Sequence, residues 1–306
     1  MFSIPPGLLA AASRGPAWAR WLDELPRRAS SQIEHWNLRP TGEAFYGYCS
    51  LVLAVTGDDG SPAMLKLTFD GDDESRDEHL ALRRWSGDGA VRLMAAEPSQ
   101  RALLLEQLNQ ENLGQTWDVE ACQIVCGLYE SLHVPPMPGL QNLASYIHRW
   151  ADALRADRYQ APIPRRLVDR TLALARDLTA QSPTVVVHGD LHYQNVLRGR
   201  RDGGRRWLAI DPKPMNGWPA YDVEPLLRNR YDEYGDAVSW GVRQRFWSIV
   251  EASGLDHEQV RDWVVLRCVI GAHWAFADAK IARRDLTPTE QLEITRRIAI
   301  AKAVQA

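Results

Sequence analysis

The sequence predicts an α+β fold in two parts: a small antiparallel sheet with one inserted helix, then a larger, mostly helical part. Two observations lead there. Up to residue 106, short apolar runs of strand length alternate with turn residues, and beyond residue 112 apolar positions recur at helical spacing. The change of character falls in "EQLNQENLGQTW", which sets the division at 1–106 and 107–306.

Residues 16–36, "PAWARWLDELPRRASSQIEHW", read as a helix, a break at Pro26 and a second helix, because proline lacks the N–H that an interior turn uses. "YGYCSLVLAVTGDDGSPAMLKLTF" reads as two strands about a GDDGSP turn. "DESRDEHLALRRWSGDG" is a helix with a charged face and a glycine stop. "AVRLMAAEPSQRALLLEQL" supplies two more strands around EPSQ. In the second part, helices over 118–133 and 140–155 flank the breaker "VPPMPG", and "RLVDRTLALARDLTA" is a further amphipathic helix. Two short strands follow, "TVVVHG" and "RWLAID". Everything past residue 222 reads as helix, without internal repeats or low-complexity segments.

The 306 residues are 45% hydrophobic and 25% charged, ordinary for a soluble globular chain of one large or two modest domains. A formal net charge of −3 argues against a broad nucleic-acid surface. Cys49, Cys122, Cys126 and Cys268 show neither zinc-ribbon pairing nor a disulfide framework, so buried thiols and a reducing cytoplasm are expected. The run GLLAAA near the N-terminus is short and lacks a basic leader, and no window reaches the ~18 apolar residues of a membrane span.

The chemistry centres on "VVVHGDLHYQNVL", residues 185–197. His188, Asp190 and His192 alternate, as metal ligands on one strand face would. Gly189 and the polar run after it suggest a loop instead, where alternation guarantees nothing. No second ligand cluster stands elsewhere, so an intrinsic zinc or iron site is not expected. The competing reading is phosphoryl transfer, whose parts occur in order. Asp190 would take or orient the acceptor proton. Asn195, at D-x-x-x-x-N spacing, and Asp211, ending "WLAID", would hold Mg²⁺. Lys66, on the strand "AMLKLTF", would bind ATP phosphates and be fixed by Glu78, twelve residues on. Each residue alone has an ordinary explanation: a solvated edge lysine, a helix-surface glutamate, a turn aspartate. Their joint occurrence on matching elements carries the argument. The nucleotide loop is incomplete, with no G-x-G-x-x-G. Gly47 and Ser50 are the candidates for phosphate contact, against the alternative of a plain turn. "LLLEQL" would form the hinge, with the backbone from Glu106 to Leu108 meeting the adenine edge.

"VVHGDLHYQNVL", "LAIDPKP" and "PAYD" resemble the aminoglycoside phosphotransferase family, in its streptomycin 6-phosphotransferase and hydroxyurea phosphotransferase branch. "MLKL", "EHLALRRWSGDGAVRL", "LLLEQL", "LHVPPMPGL" and "HWAFADA" extend the resemblance over residues 17–280. It implies a bilobal protein-kinase-like fold and ATP- and Mg²⁺-dependent phosphorylation of an antibiotic hydroxyl conferring resistance, streptomycin first. The alternatives are hydroxyurea, a peptide or nucleoside antibiotic, a metabolite, or a silent kinase-like binding protein. A monomer or weak dimer is expected. The resemblance makes Asp190 the base, Asn195 and Asp211 the magnesium ligands, and Lys66 with Glu78 the phosphate clamp. It places His188 under the catalytic loop and gives Asp222 a bracing role. Trp218 departs from the family's G-D-P-A-Y-D pattern. Asp222 follows Asp211 by only eleven positions, too few for a long activation loop. For a cationic acceptor, the candidate contacts are Glu224, Asp232, Trp274 and Asp278, with Glu233 and Asp236 beside them. Trp274 and Asp278 share a helix face.

Overall fold

The structure, a computed structural model, describes residues 2–306. The chain opens with a short helix α1 (Pro6–Leu9) and the long α2 (Pro16–His35), followed by β1 (Arg39–Tyr46), β2 (Ser50–Thr56) and β3 (Pro62–Thr68). Helix α3 (Glu78–Trp85) precedes β4 (Leu93–Glu97) and β5 (Ala102–Glu106). Next come α4 (Asp118–Leu132), β6 (Gln141–Asn142), α5 (Leu143–Ala156), α6 (Arg165–Leu178) and β7 (Val185–Val187). Strands β8 (Val196–Arg198), β9 (Trp207–Ala209) and β10 (Met215–Gly217) lead to α7 (Glu224–Arg228), α8 (Val238–Ser253), α9 (His257–Ile281) and α10 (Pro288–Ala303).

The chain forms two compact units. One comprises the residues up to Glu111 with Leu197–Lys213, and the other Asn112–Val196 with Pro214–Ala306. A single cut at residue 106 therefore leaves Leu197–Lys213 on the wrong side of this grouping. The segment joins the first unit because Ala209 exchanges backbone hydrogen bonds with Gly89 and Val91, both 2.9 Å, just past α3.

In the first unit, five antiparallel strands lie in the order β1-β2-β3-β5-β4. Strand alternation sends Leu51, Leu53, Leu65 and Leu67 into a core shared with Trp21, Leu22, Leu25 and Ala29 of α2. The break expected at Pro26 does not occur, and α2 runs through it. The lost helical hydrogen bond and ring clash cost about 3 kcal/mol. Fully burying each large apolar side chain contributes about 1.5–3 kcal/mol, and this one face buries three, so packing wins. Strand β1 has no counterpart among the expected strands, because nearly all its residues are exposed and leave no apolar pattern.

In the second unit, β10 lies between β6 and β7, parallel to the first and antiparallel to the second. Most of the central part of α9, from Trp263 to His273, is buried. A capping box between Thr287 and Glu290 starts α10 where "TPTE" predicts a helix start. Among the described residues no helix is long and apolar enough to cross a membrane. All four cysteines are buried and free.

Candidate functional site

In the first unit, β3 turns Leu65 and Leu67 into the core, so the residue between them faces the other way. That residue is Lys66, paired across the sheet with Val52 and Leu103 and itself buried. Its ammonium donates to both Glu78 oxygens, at 2.8 and 2.6 Å, and to Asp211 Oδ1 at 2.5 Å. Glu78 opens α3 and is 1% exposed. Asp211 follows β9 with φ +56°, a left-handed conformation that turns the chain as it leaves the strand. Burial pulls the Lys66 pKa down, but the Asp211 and Glu78 carboxylates outweigh it and hold it above its ordinary value. Burial also pushes the Glu78 carboxyl up against the pull of Lys66.

A second lysine belongs to this cluster. Lys213 Nζ lies 3.4 Å from Asp211 Oδ1 and 3.6 Å from Asp72 Oδ2. Burial lowers its pKa, yet Asp211, Cys49 and Asp72 raise it well above normal. Its signal was present in "DPKP", a lysine two residues past the aspartate and fenced by prolines.

The other nucleotide-side candidates lie in the same unit. The Gly47 N–H donates to the Ser50 carbonyl at 3.0 Å, closing the turn from β1 into β2. Ser50 is buried, and a Cβ on Gly47 would stand 3.1 Å from its Oγ. The Glu106 carboxylate accepts from the Arg92 N–H at 2.7 Å and from Arg201 at 2.9 Å, so its side chain ties the end of β5 in place. Leu108 is buried.

In the second unit, the loop after β7 is held from below by Asp222. Its buried carboxylate accepts from the His188 N–H at 2.8 Å and the Gly189 N–H at 2.7 Å, and lies 3.0 Å from His133 Nε2. Burial pushes this carboxyl up, but His133 and the loop amides hold it below the usual carboxylate range. Gly189 turns the loop at φ +84°, a value glycine adopts without strain. Asn195 Nδ2 donates to the Asp190 carbonyl at 2.9 Å, closing the D-x-x-x-x-N loop on itself.

The H-x-D-x-H residues do not converge as ligands. His188 is fully buried, its Nδ1 accepting from the Asp190 N–H at 3.3 Å. His192 Nδ1 accepts from the Gln194 N–H, with its Nε2 3.8 Å from Asp190 Oδ2. Among the described residues no group of three His, Cys, Asp or Glu is placed to hold a metal ion. Magnesium makes a different demand. It takes hard oxygens, one or two of them from protein carboxylates and the rest from water and phosphate. The Asp211 carboxylate and the Asn195 amide oxygen are donors of that kind.

The proposed acceptor contacts divide. Glu224 is 1% exposed, with Arg267, Arg297 and Arg228 at 3.3, 3.2 and 3.4 Å. Burial raises its carboxyl, but the three guanidinium groups hold it below the usual range. It is a buried anion held by three arginines and does not offer its carboxylate to an acceptor. Asp232 pairs with Arg296. Trp274 packs on Tyr146 and Trp150, with the Arg297 guanidinium 5.9 Å from its ring. Asp278, one turn along α9, is exposed. Trp218 stacks on Trp263 at 5.4 Å.

A sequence profile described as aminoglycoside/hydroxyurea antibiotic resistance kinase matches residues 35–279. The chain is 33% identical over 292 residues to the streptomycin 6-kinase of Streptomyces glaucescens, covering 92% of this chain and 94% of that one. It is 34% identical to the hydroxyurea phosphotransferase of Kitasatospora aureofaciens, over 91% and 82% of the two chains. Among solved structures, choline kinase LicA from Streptococcus pneumoniae superposes with a TM-score of 0.64 at 12% identity, covering 92% and 99% of the chains. That likeness shows a protein-kinase-like α+β fold.

Proposed function

The chain belongs to the aminoglycoside/hydroxyurea antibiotic resistance kinase family, which makes it a small-molecule phosphotransferase, and we propose that it transfers the γ-phosphoryl group of ATP to a hydroxyl of a streptomycin-like aminoglycoside. The observation that carries the reading is the meeting of Lys66, Glu78 and Asp211 on one buried ammonium. A lysine held charged by two carboxylates is a preorganised phosphate ligand. In this reading Lys66 binds the nucleotide phosphates and Glu78 fixes the lysine. Asp211 and Asn195 hold magnesium, which when bound neutralises charge on the β- and γ-phosphates. The Gly47 turn and Ser50 backbone approach the phosphates, and the Glu106–Leu108 backbone meets the adenine edge. Asp190 orients the acceptor hydroxyl and accepts its proton as the new ester bond forms and ADP leaves. Asp232, Trp274 and Asp278 remain the acceptor-side candidates.

Hydroxyurea is the second reading. It is supported by the equal closeness of a hydroxyurea phosphotransferase, and by the burial of Glu224, which withdraws one carboxylate from cation binding.

The test is ADP release from Mg·ATP with streptomycin, hydroxyurea, other aminoglycosides, and peptide and nucleoside antibiotics, run beside Asp190→Asn. Turnover with streptomycin that falls on the order of 100- to 10,000-fold in the variant is the expected result. Turnover with hydroxyurea alone would move the assignment to the second reading. Silence across the panel with ATP still bound would overturn both.

A further inference from the structure

Asp190 must present its carboxylate in one orientation, yet its side chain is 26% exposed and sits on a loop. The Arg228 NH2 group reaches it, donating to Asp190 Oδ1 at 3.2 Å. Arg228 is itself anchored. Its Nε lies 3.4 Å from Glu224 Oε1, one helical turn back on α7. Glu224 cannot yield, because it is enclosed and paired with Arg267 and Arg297. Arg267 also donates to the Gly189 carbonyl, beside Asp190, and to the Tyr221 carbonyl at 2.8 Å. One buried carboxylate therefore supports two arginines, one gripping the loop's backbone and the other its reactive side chain.

We propose that Arg228 is a positioning residue for phosphoryl transfer, a strut that fixes the Asp190 carboxylate against the buried Glu224. The inference rests on the assignment of Asp190 as the base. A carboxylate held by a planar, permanently charged donor keeps its rotamer. The arrangement also allows a clean test. Removing Arg228 leaves Glu224 with two guanidinium partners, so the buried anion is not stranded.

The experiment compares wild type with Arg228→Ala, Arg228→Met and Arg228→Lys, using Mg·ATP and streptomycin. A misplaced reacting group costs on the order of 100-fold in rate, so kcat is expected to fall by that order in the Ala and Met variants. KM for streptomycin and for Mg·ATP stays near wild type. Added guanidinium restores part of the rate to Arg228→Ala, and Arg228→Lys lies between. Wild-type kcat in both Ala and Met variants overturns the proposal. So does a loss of rate that tracks melting temperature and ignores guanidinium. A crystal structure of Arg228→Met supplies an arm independent of the acceptor. The Asp190 side chain is expected to leave its wild-type rotamer, and an unmoved carboxylate refutes the strut. If wild type fails to turn over streptomycin, the acceptor assignment fails, while the crystal structure still decides the role of Arg228.

Discussion

The Lys66 ammonium lies 2.5 Å from the Asp211 carboxylate, although 145 residues separate the two in the chain. With Glu78 on its other side, this lysine balances two carboxylates at once. Lys66→Ala would leave Glu78 buried without its partner. Breaking a buried pair from one side costs about 3–5 kcal/mol, so urea unfolding should show a loss of that size and phosphoryl transfer should cease. A variant as stable as wild type would mean that Lys213 takes over the charge.

Asp222 provides the matching support for the loop after β7. Asp222→Ala strands the His188 and Gly189 amides, each a buried donor worth about 1–3 kcal/mol when left unmet. Hydrogen exchange at these two amides should accelerate relative to the β7 amides. Continued protection at 188 and 189 would show that the loop is held by other contacts.

Gly271, inside α9, gives Arg297 its path to Glu224. A Cβ there would stand 2.0 Å from an Arg297 terminal nitrogen. Gly271→Ala gains about 1 kcal/mol of helix propensity but forces the guanidinium away at about 1–3 kcal/mol, for a net loss of up to about 2 kcal/mol. In a double-mutant cycle with Arg297→Ala, the cost of Gly271→Ala should largely vanish. Additive effects would place the clash elsewhere.

Glu290 ties the start of α10 to Arg284, at 2.7 Å through each carboxylate oxygen, and to the Thr287 N–H. Arg284 first, with Thr287, pulls its pKa from 4.5 to about 2. A depressed folded-state value means that the unfolded chain binds the proton more readily. The stabilisation is therefore complete above pH 4.5 and is lost as pH falls towards about 2. Melting temperatures across that window should fall more steeply in wild type than in Glu290→Gln. Parallel curves would remove Glu290 from the acid response.

Lys66, Glu78, Asp190, Asn195 and Asp211 are legible in the sequence as candidates, because local pattern marks strand, helix and loop, and the spacings within those elements are fixed by geometry. Lys213 is not legible in this way, since nothing in "DPKP" says that Asp72 will stand beside it. Strand β1 leaves no apolar signature in the sequence for a simpler reason, having almost no buried face. At Pro26 the local backbone preference for a break is overridden by the packing of Trp21, Leu22, Leu25 and Ala29.

Glu224 marks the limit most sharply. By itself the sequence determined that an acid stands two residues past Asp222, in a stretch that reads as helix. Only the tertiary structure decided that this acid faces inward to three arginines and supports Asp190 through Arg228, rather than facing an acceptor. Periodicity and caps are properties of neighbours in the chain and can be read along it. The partner of a buried charge is chosen by packing, among residues as distant as Arg297, and no local spacing encodes that choice.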